Sequence, residues 1–568
     1  MEKLWLPFYD EEVPEALDLP DVGLADLFGQ AVQQFPNSTA LIFFNRTLTY
    51  RQLDDLTAQF AAALQGLGVR PGDRVMLLLA NTPQFVIGYF GALRAGASVV
   101  PTNPQYVERE LEHQINDSGA ETIITMSLFY DKVAAVRPNT GLKRVIVTNI
   151  KEYFPPVLRL LFTLLKEKKE GHRVEIAGEP ETYWFQDLLV QYRTTAPVPA
   201  TVDTDDVAVL TYTGGTTGVP KGAMLTHRNL VSNAIQTAAW LGGTEPGTEI
   251  IMGALPFFHC YGMTTVLNLA AQCGGAIILI PNPRELKTVL DNIVKHRPTL
   301  FPGVPTMYVA INNYPDIKKF DLSSIRSCIS GAAPLPLEVQ ERFESITGAK
   351  LVEGYGLTEA SPVTHANPLR GRRKAGTIGL PFPNTDAKIV DPGTREELPQ
   401  GEVGELAIRG PQVMKGYWQR PEETAEVLGG GWLFTGDIAA VDEDGYFRIV
   451  DRKKDLIIAS GYNIYPREVE EVLYEHEKVL EAAVAGVPDP YRGETVKAFV
   501  ALREGESATE EEIIEFCRAR LAPYKCPRAV EFRSSLPKTT VGKILRRVLV
   551  EEEKTRLSRE MEAATTDS

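Results

Sequence analysis

The stretch TYTGGTTGVPKG, from Thr211 to Gly222, sets glycines, hydroxyls and one lysine directly after the apolar run VAVL. Glycines let backbone N–H groups turn inward and crowd an anion. Threonine hydroxyls add donors and Lys221 adds positive charge, which is the chemistry of a phosphate cradle, although a bare tight turn is the plainer alternative. It is not the nucleotide loop that ends Gly-Lys-Ser/Thr, because Lys221 is followed by Gly222. VEGYGLTEASP (Val352 to Pro362) ends another strand in a glycine turn and presents Thr358 and Glu359. Glu359 is a candidate Mg²⁺ ligand, since that ion takes one or two carboxylates plus phosphate oxygens; a solvated glutamate at a helix start is the alternative. SGAAPL (Ser330 to Leu335) offers small residues against which a flat ring can lie. Asp437, in FTGD, is an acid of the kind that accepts from ribose hydroxyls beside a nucleotide; read alone it is a turn residue.

These loops need strands to carry them. RVMLLLA reads as a buried strand and TPQFVIGYFGALRAG as the helix after it, with Thr82 placed to cap it and Gly96 to stop it. SVVPTN, ETIITM and KRVIVTN continue the series. VAVLTY, the loop, and then the helix THRNLVSNAIQTAAWLG repeat the unit. This is the alternation of an α/β protein with doubly wound sheets, in which ligands gather at the carboxyl ends of strands. After about Asn384 the pattern turns to hairpins, predicting a small β-rich subdomain. Beyond DRKKD (Asp451 to Asp455) come a helix, two strands and another helix, a compact α+β unit. The expected division is a large domain over 1–453 and a mobile C-terminal domain over 454–568, with a cleft between them.

The chain has 568 residues and a net charge of −15, so it is a poor default binder of nucleic acid. Its five cysteines form no CxxC pair, which points away from a zinc site and a disulfide framework and toward a reducing cytoplasm. The acidic, proline-broken first twenty residues lack the regions of a signal peptide. Residues 155–172, PPVLRLLFTLLKEKKEGH, read as a leucine-rich helix followed by a basic run. Such a segment suits peripheral contact with a bilayer. Packing on its own domain is the expectation, since most amphipathic helices face a core.

TYTGGTTGVPKG, GYGLTE, GWLFTGD, IVDRKKDLI, SGYNIYP and LPKTTVGKILRR occur together in the order seen in acyl-adenylate-forming ligases, and over nearly the whole chain the sequence resembles that family. LTHRNL, GPQVMKGYWQRPEET and DRKKDLIIASGYNIYPREVEEVL are most similar to the bacterial long-chain fatty acid–CoA ligases. The resemblance implies that Thr213, Gly214, Gly215, Thr216, Thr217 and Gly218 cradle the ATP phosphates beside Lys221, and that Thr213 and Glu359 hold Mg²⁺. Gly331, Ala332, Ala333, Glu353, Gly354, Tyr355 and Gly356 would flank adenine, with Thr358 near the α-phosphate and Asp437 and Arg452 on ribose. Lys543 would contact the carboxylate and α-phosphate, Gly461 would line the path of coenzyme A, and Lys454 would be the pivot between domains.

His259, in LPFFHCYG, fits the mouth of an acyl tunnel, and the family places a histidine there facing the carboxylate; a packed core histidine is the alternative. GVPTM (Gly303 to Met307) would line the tunnel. Where some long-chain ligases carry a tryptophan gate, this chain has Met263, so a comparable gate is not expected. The implied activity is ATP-dependent conversion of a long-chain fatty acid to acyl-AMP and then to acyl-CoA, by a monomer or homodimer. Competing readings are a ligase for aromatic acids of the coumarate type, an acyl-AMP ligase serving a carrier protein, and a nucleotide sensor without chemistry.

Overall fold

The computed structural model describes residues 3–213, 220–242, 244–453, 455–459, 462–489, 493–539 and 544–566. It is a mixed α/β protein with a large N-terminal and a small C-terminal domain. Five parallel strands form the heart of an eight-stranded sheet: Ser98–Pro101, Arg74–Leu78, Thr122–Met126, Arg144–Thr148 and Thr182–Trp184. The first four are buried almost throughout, as their unbroken apolar runs require of a sheet covered on both faces, and Thr182–Trp184, at the sheet edge, is half-buried. Val207–Thr213 extends it in parallel. A second sheet runs parallel through Thr39–Phe43, Ala276–Leu279 and Ile250–Gly253. Leu300 bridges it to Ser327–Ser330 and Lys350–Gly356, the strands that deliver SGAAPL and GYGLTE.

The helix Pro83–Arg94 forms where expected, with Gly96 at φ +80° beyond its end. Thr82 occupies the N-cap position, but its side chain makes no capping bond. A second correction concerns the glycine loop. It does not lead straight into a helix. Lys221–Thr226 is a strand that pairs antiparallel with Val207–Thr213, with Thr213 opposite Lys221. The helix His227–Trp240 follows, closed by a reciprocal cap: Asn229 N–H donates to Thr226 Oγ1 at 3.1 Å and Thr226 N–H to Asn229 Oδ1 at 2.9 Å.

The β-rich portion is an antiparallel sheet of Asp386–Val390, Gly404–Arg409, Trp432–Val441, Leu428–Gly429 and Phe447–Arg452. A last five-stranded sheet carries the helices Pro466–Tyr474 and Glu510–Arg518. Its strands and helices enclose a core of their own, with Ile457, Val469, Leu473, Val484, Val500 and Ile513 fully buried.

Residues 156–165 do form a helix, but the expectation that its leucines pack inward fails. Phe162 alone is buried, against Phe154 and His172, and Leu158 is half-buried; Val157, Leu160, Leu161, Leu164 and Leu165 face outward. No described helix is long and apolar enough to cross a membrane.

Candidate active site

The carboxyl ends of these strands open on one cleft of about 1320 Å³. Thr213, Lys221, His259, Thr358, Glu359 and Asp437 all line it. From the C-terminal side, Lys538, Thr539 and the segment Ile544 to Arg547 line the same cleft. The cradle residues Gly214, Gly215, Thr216, Thr217 and Gly218, the pivot Lys454, and Gly461 and Lys543 lie outside the described residues.

At the hairpin, Lys221 Nζ sits 5.2 Å from the ring centre of Tyr417 and 4.0 Å from Glu423. The Tyr417 hydroxyl donates to Glu359 Oε1 at 2.7 Å. Burial, followed by the neighbouring Glu359 charge, holds that hydroxyl protonated far above the usual phenol range. Tyr417 belongs to a two-residue strand paired with the hairpin, and the nearby Met414 N–H donates to the Glu359 carbonyl at 2.8 Å. One short strap therefore fixes the cradle strand and the Glu359 turn relative to each other. Glu359 and Thr213 present a carboxylate and a hydroxyl, the hard oxygen donors that Mg²⁺ prefers. Among the described residues no cluster of three His, Cys, Asp or Glu could hold a metal by itself, so such an ion would draw its remaining ligands from phosphate and water.

Asp437 and Arg452 face each other across adjacent antiparallel strands, with Arg452 Nε 3.1 Å from Asp437 Oδ1. The Tyr355 hydroxyl donates to Asp437 Oδ2 at 2.5 Å and, buried beside that carboxylate, stays protonated. Asp437 is thus a buried, doubly held acceptor facing the cleft.

The SGAAPL wall depends on close approach. A Cβ on Gly331 would lie 3.0 Å from the Tyr261 ring, and Ala332 takes the left-handed conformation at φ +70°. Leu335 N–H donates to Glu353 at 3.0 Å, so Glu353 buttresses that wall from the next strand. Its carboxyl is pushed up to about 7 by burial, which the Leu335 bond and Arg467 oppose. At Gly356 a Cβ would fall 2.2 Å from the Pro362 carbonyl oxygen, so the turn in GYGLTE requires glycine.

His259 is half-buried at the cleft edge, and its Nδ1 accepts from Tyr261 N–H at 3.3 Å. That bond fixes Nδ1 as the unprotonated nitrogen of the neutral ring. Beside it, Leu255, Tyr261, Val304 and Met307 form an apolar cluster that includes part of GVPTM. The Cys260 thiol donates to Thr358 Oγ1 at 3.5 Å. Burial pushes this thiol up to about 12, so the cysteine nearest the site is no nucleophile at neutral pH.

Reasoning from sequence missed Tyr417, Glu423 and the hydroxyl of Tyr355 as supports for charged groups. It missed a network around Arg546 too. That guanidinium meets Glu470 at 2.5 Å, Asp455 at 3.0 Å and Asp451 at 3.6 Å, while Asp451 also accepts from Arg467 N–H at 2.6 Å. Nothing in residue type or spacing marks these partners, because each pair is joined only by the fold.

Lys221, the Glu359 carboxylate and the buried, doubly held Asp437 thus share one cleft, a grouping suited to a nucleotide with a hard cation. The profile described as AMP-binding enzyme matches residues 28–418, and that of the AMP-binding enzyme C-terminal domain matches 468–543. The chain belongs to the AMP-binding enzyme family. It is 49% identical to a long-chain-fatty-acid–CoA ligase of Bacillus subtilis, over 97% of this chain and 98% of that one. A long-chain-fatty-acid–CoA ligase of Yersinia pestis is 44% identical, with the same coverage. Among solved structures, the anthranilate CoA ligase AuaEII in complex with anthranoyl-AMP superposes with a TM-score of 0.84 at 29% identity, over 95% of this chain and 99% of that one. ATP-bound MatB from Rhodopseudomonas palustris gives 0.80 at 29% identity, over 94% and 99%.

Proposed function

We propose that the protein is a long-chain fatty acid–CoA ligase that forms acyl-AMP and then acyl-CoA at one site. The observation that carries this reading is the shared cleft. Groups suited to phosphate, ribose and a hard cation line it from the large domain, Lys538, Thr539 and Ile544 to Arg547 line it from the other side, and an apolar cluster adjoins His259. A carboxylate is a poor electrophile. Its oxygen attacks the α-phosphorus of ATP, the bond to the β-phosphate oxygen breaks, and pyrophosphate leaves. The hairpin and Lys221 bind the phosphates, and Asp437 with Arg452 fixes the ribose. Lys543, from the C-terminal segment, meets the charge that develops at phosphorus. Mg²⁺, held by Thr213 and Glu359, would supply further neutralisation of the phosphoryl oxygens. The thiol of coenzyme A then attacks the acyl carbonyl, AMP departs with the electron pair of the C–O bond, and the thiol proton passes to solvent.

The two steps need different groups at one centre, which a C-terminal domain over 454–568 pivoting at Lys454 against 1–453 provides, with the Gly461 face entering for the second step. A cytoplasmic monomer or homodimer that meets a membrane through residues 155–172 fits this reading. The test is a chain-length profile with purified protein. Each buried methylene contributes about 0.8 kcal/mol, so kcat/KM should climb roughly fourfold per carbon until the acyl pocket is full. A higher kcat/KM for acetate or a cinnamate-type acid than for dodecanoate refutes the long-chain assignment.

A further inference from the structure

The outward face of the helix Pro156–Leu165 has no role in the cleft. Val157, Leu160, Leu161, Leu164 and Leu165 recur at the three- and four-residue steps that place side chains on one helical face. That face points into solvent: Val157, Leu164 and Leu165 are 72%, 70% and 69% exposed. Exposed leucines occurring singly are ordinary, but a contiguous outward stripe is not. Two further exposed apolar residues lie close to the segments that flank the helix: Phe44 sets its ring 4.6 Å from that of Phe154, and a Cβ on Gly171 would lie 3.3 Å from Leu128.

The inner face is anchored. Phe162 is buried between Phe154 and His172, and the His172 ring meets the Ser127 hydroxyl at 3.0 Å. Asn149 donates to both Glu167 and the His172 carbonyl, and Lys151 pairs with Glu167 at 2.5 Å. The following turn is therefore tied to the body of the domain, and the stripe is presented by a fixed element.

Charge decides what would cover it. From Lys151 to Arg173 the chain carries six basic and three acidic residues, a local net of +3 within a protein of −15. Arg159, Lys166, Lys168, Lys169 and Arg173 are all exposed. Apolar chains flanked by lysine and arginine match a surface with an anionic layer over a hydrocarbon layer. A second copy of this acidic chain matches it less well. The helix is about 15 Å long, enough to lie in the interface and too short to span.

We infer that Val157, Leu160, Leu161, Leu164 and Leu165, ringed by Arg159, Lys166, Lys168 and Lys169, dock the protein on an anionic bilayer. The docking geometry stands by itself; only its purpose, delivery of a membrane-dissolved acid to the cleft, rests on the ligase reading. The test is sedimentation of the full chain with phosphatidylcholine vesicles containing phosphatidylglycerol. Wild type should partition in proportion to the anionic fraction and release as salt is raised. Lys166→Glu/Lys168→Glu/Lys169→Glu should lower partitioning about tenfold or more at low salt. Leu160→Gln/Leu164→Gln should lower it comparably at every salt concentration. Both variants should convert a water-soluble acid such as octanoate at the wild-type rate without vesicles, which keeps failure of docking distinct from failure of the ligase reading. Wild-type partitioning by the leucine variant overturns the inference. So does a wild type that stays in the supernatant, or a dimer in vesicle-free buffer that the leucine variant makes monomeric, which would assign the stripe to a second copy.

Discussion

Replacing Asp437 by Asn tests the nucleotide site with little disturbance of shape. In the folded protein this carboxylate accepts from the Tyr355 hydroxyl at 2.5 Å and pairs with Arg452 at 3.1 Å. An asparagine can keep both contacts. Its oxygen faces Arg452 Nε, and its amide donates to the tyrosine oxygen, which accepts once its own proton turns away. What disappears is the charge. Hydrogen bonds to charged groups contribute about 1.5–3 kcal/mol and are roughly twice as strong as neutral ones, so each ribose hydroxyl bound here loses about 1–1.5 kcal/mol. That is about tenfold in affinity for one hydroxyl and about a hundredfold for two. AMP binding by titration calorimetry should weaken by this factor and the KM for ATP should rise with it. The KM for the acid should hold, and Tm should stay within about 3 °C of wild type because the internal contacts survive. A variant that keeps its Tm and binds AMP within about twofold of wild type would remove Asp437 from the ribose site.

Lys543→Ala should slow acyl-AMP formation about 10²–10³-fold while leaving thioester formation from premade acyl-AMP near wild type; equal losses in both steps refute its assignment. Lys454→Pro locks φ near −65° at the proposed pivot, so acyl-AMP should still form in a single turnover while thioester output falls steeply; a wild-type thioester rate would mean that no swing at this bond is needed. Glu353 titrates at about 7 in the folded protein against an ordinary 4.5. The folded state therefore binds more protons than the unfolded state between those values, and this group's contribution to stability falls as pH rises through the window. Glu353→Gln should flatten Tm between about pH 5 and about pH 7.5, and a profile that keeps the wild-type slope assigns it to another group.

Much of the site could be read from the chain because its parts are local. GYGLTE and SGAAPL each sit where a strand stops, and a buried strand announces itself by an apolar run ending in glycine or proline. Asp437 and Arg452 were each picked out by motif, and the register of two antiparallel strands then brings them together. The hairpin at the glycine loop was harder. Its return strand, KGAMLT, begins on lysine and glycine and runs directly into a helix cap, so in sequence it resembles a connector. Only pairing with the strand before it makes it a strand. Tyr417 was invisible for a similar reason: it reaches Glu359 across 58 residues of sequence, and a tyrosine within KGYWQR looks the same whether its hydroxyl meets water or a carboxylate.

The leucine helix shows a different limit. A repeat of apolar residues every three or four positions states that a helix has an apolar face, but not whether that face turns inward or outward. In residues 156–165 the apolar residues exceed what one buried stripe can use. Phe162 against Phe154 and His172, with Leu158 half-buried on the same core, suffices to seat the helix, which leaves five more exposed to solvent. A surface helix built only for its own core would carry charges there, since nothing in folding rewards leucine in water. The single arginine within this helix, Arg159, is held sideways against Glu152 rather than breaking the stripe. Surplus apolar residues on an anchored helix, with the lysines placed just beyond its end, are what separates a docking face from a misjudged core face, and that count becomes decisive only once the structure shows which residues the fold has already used.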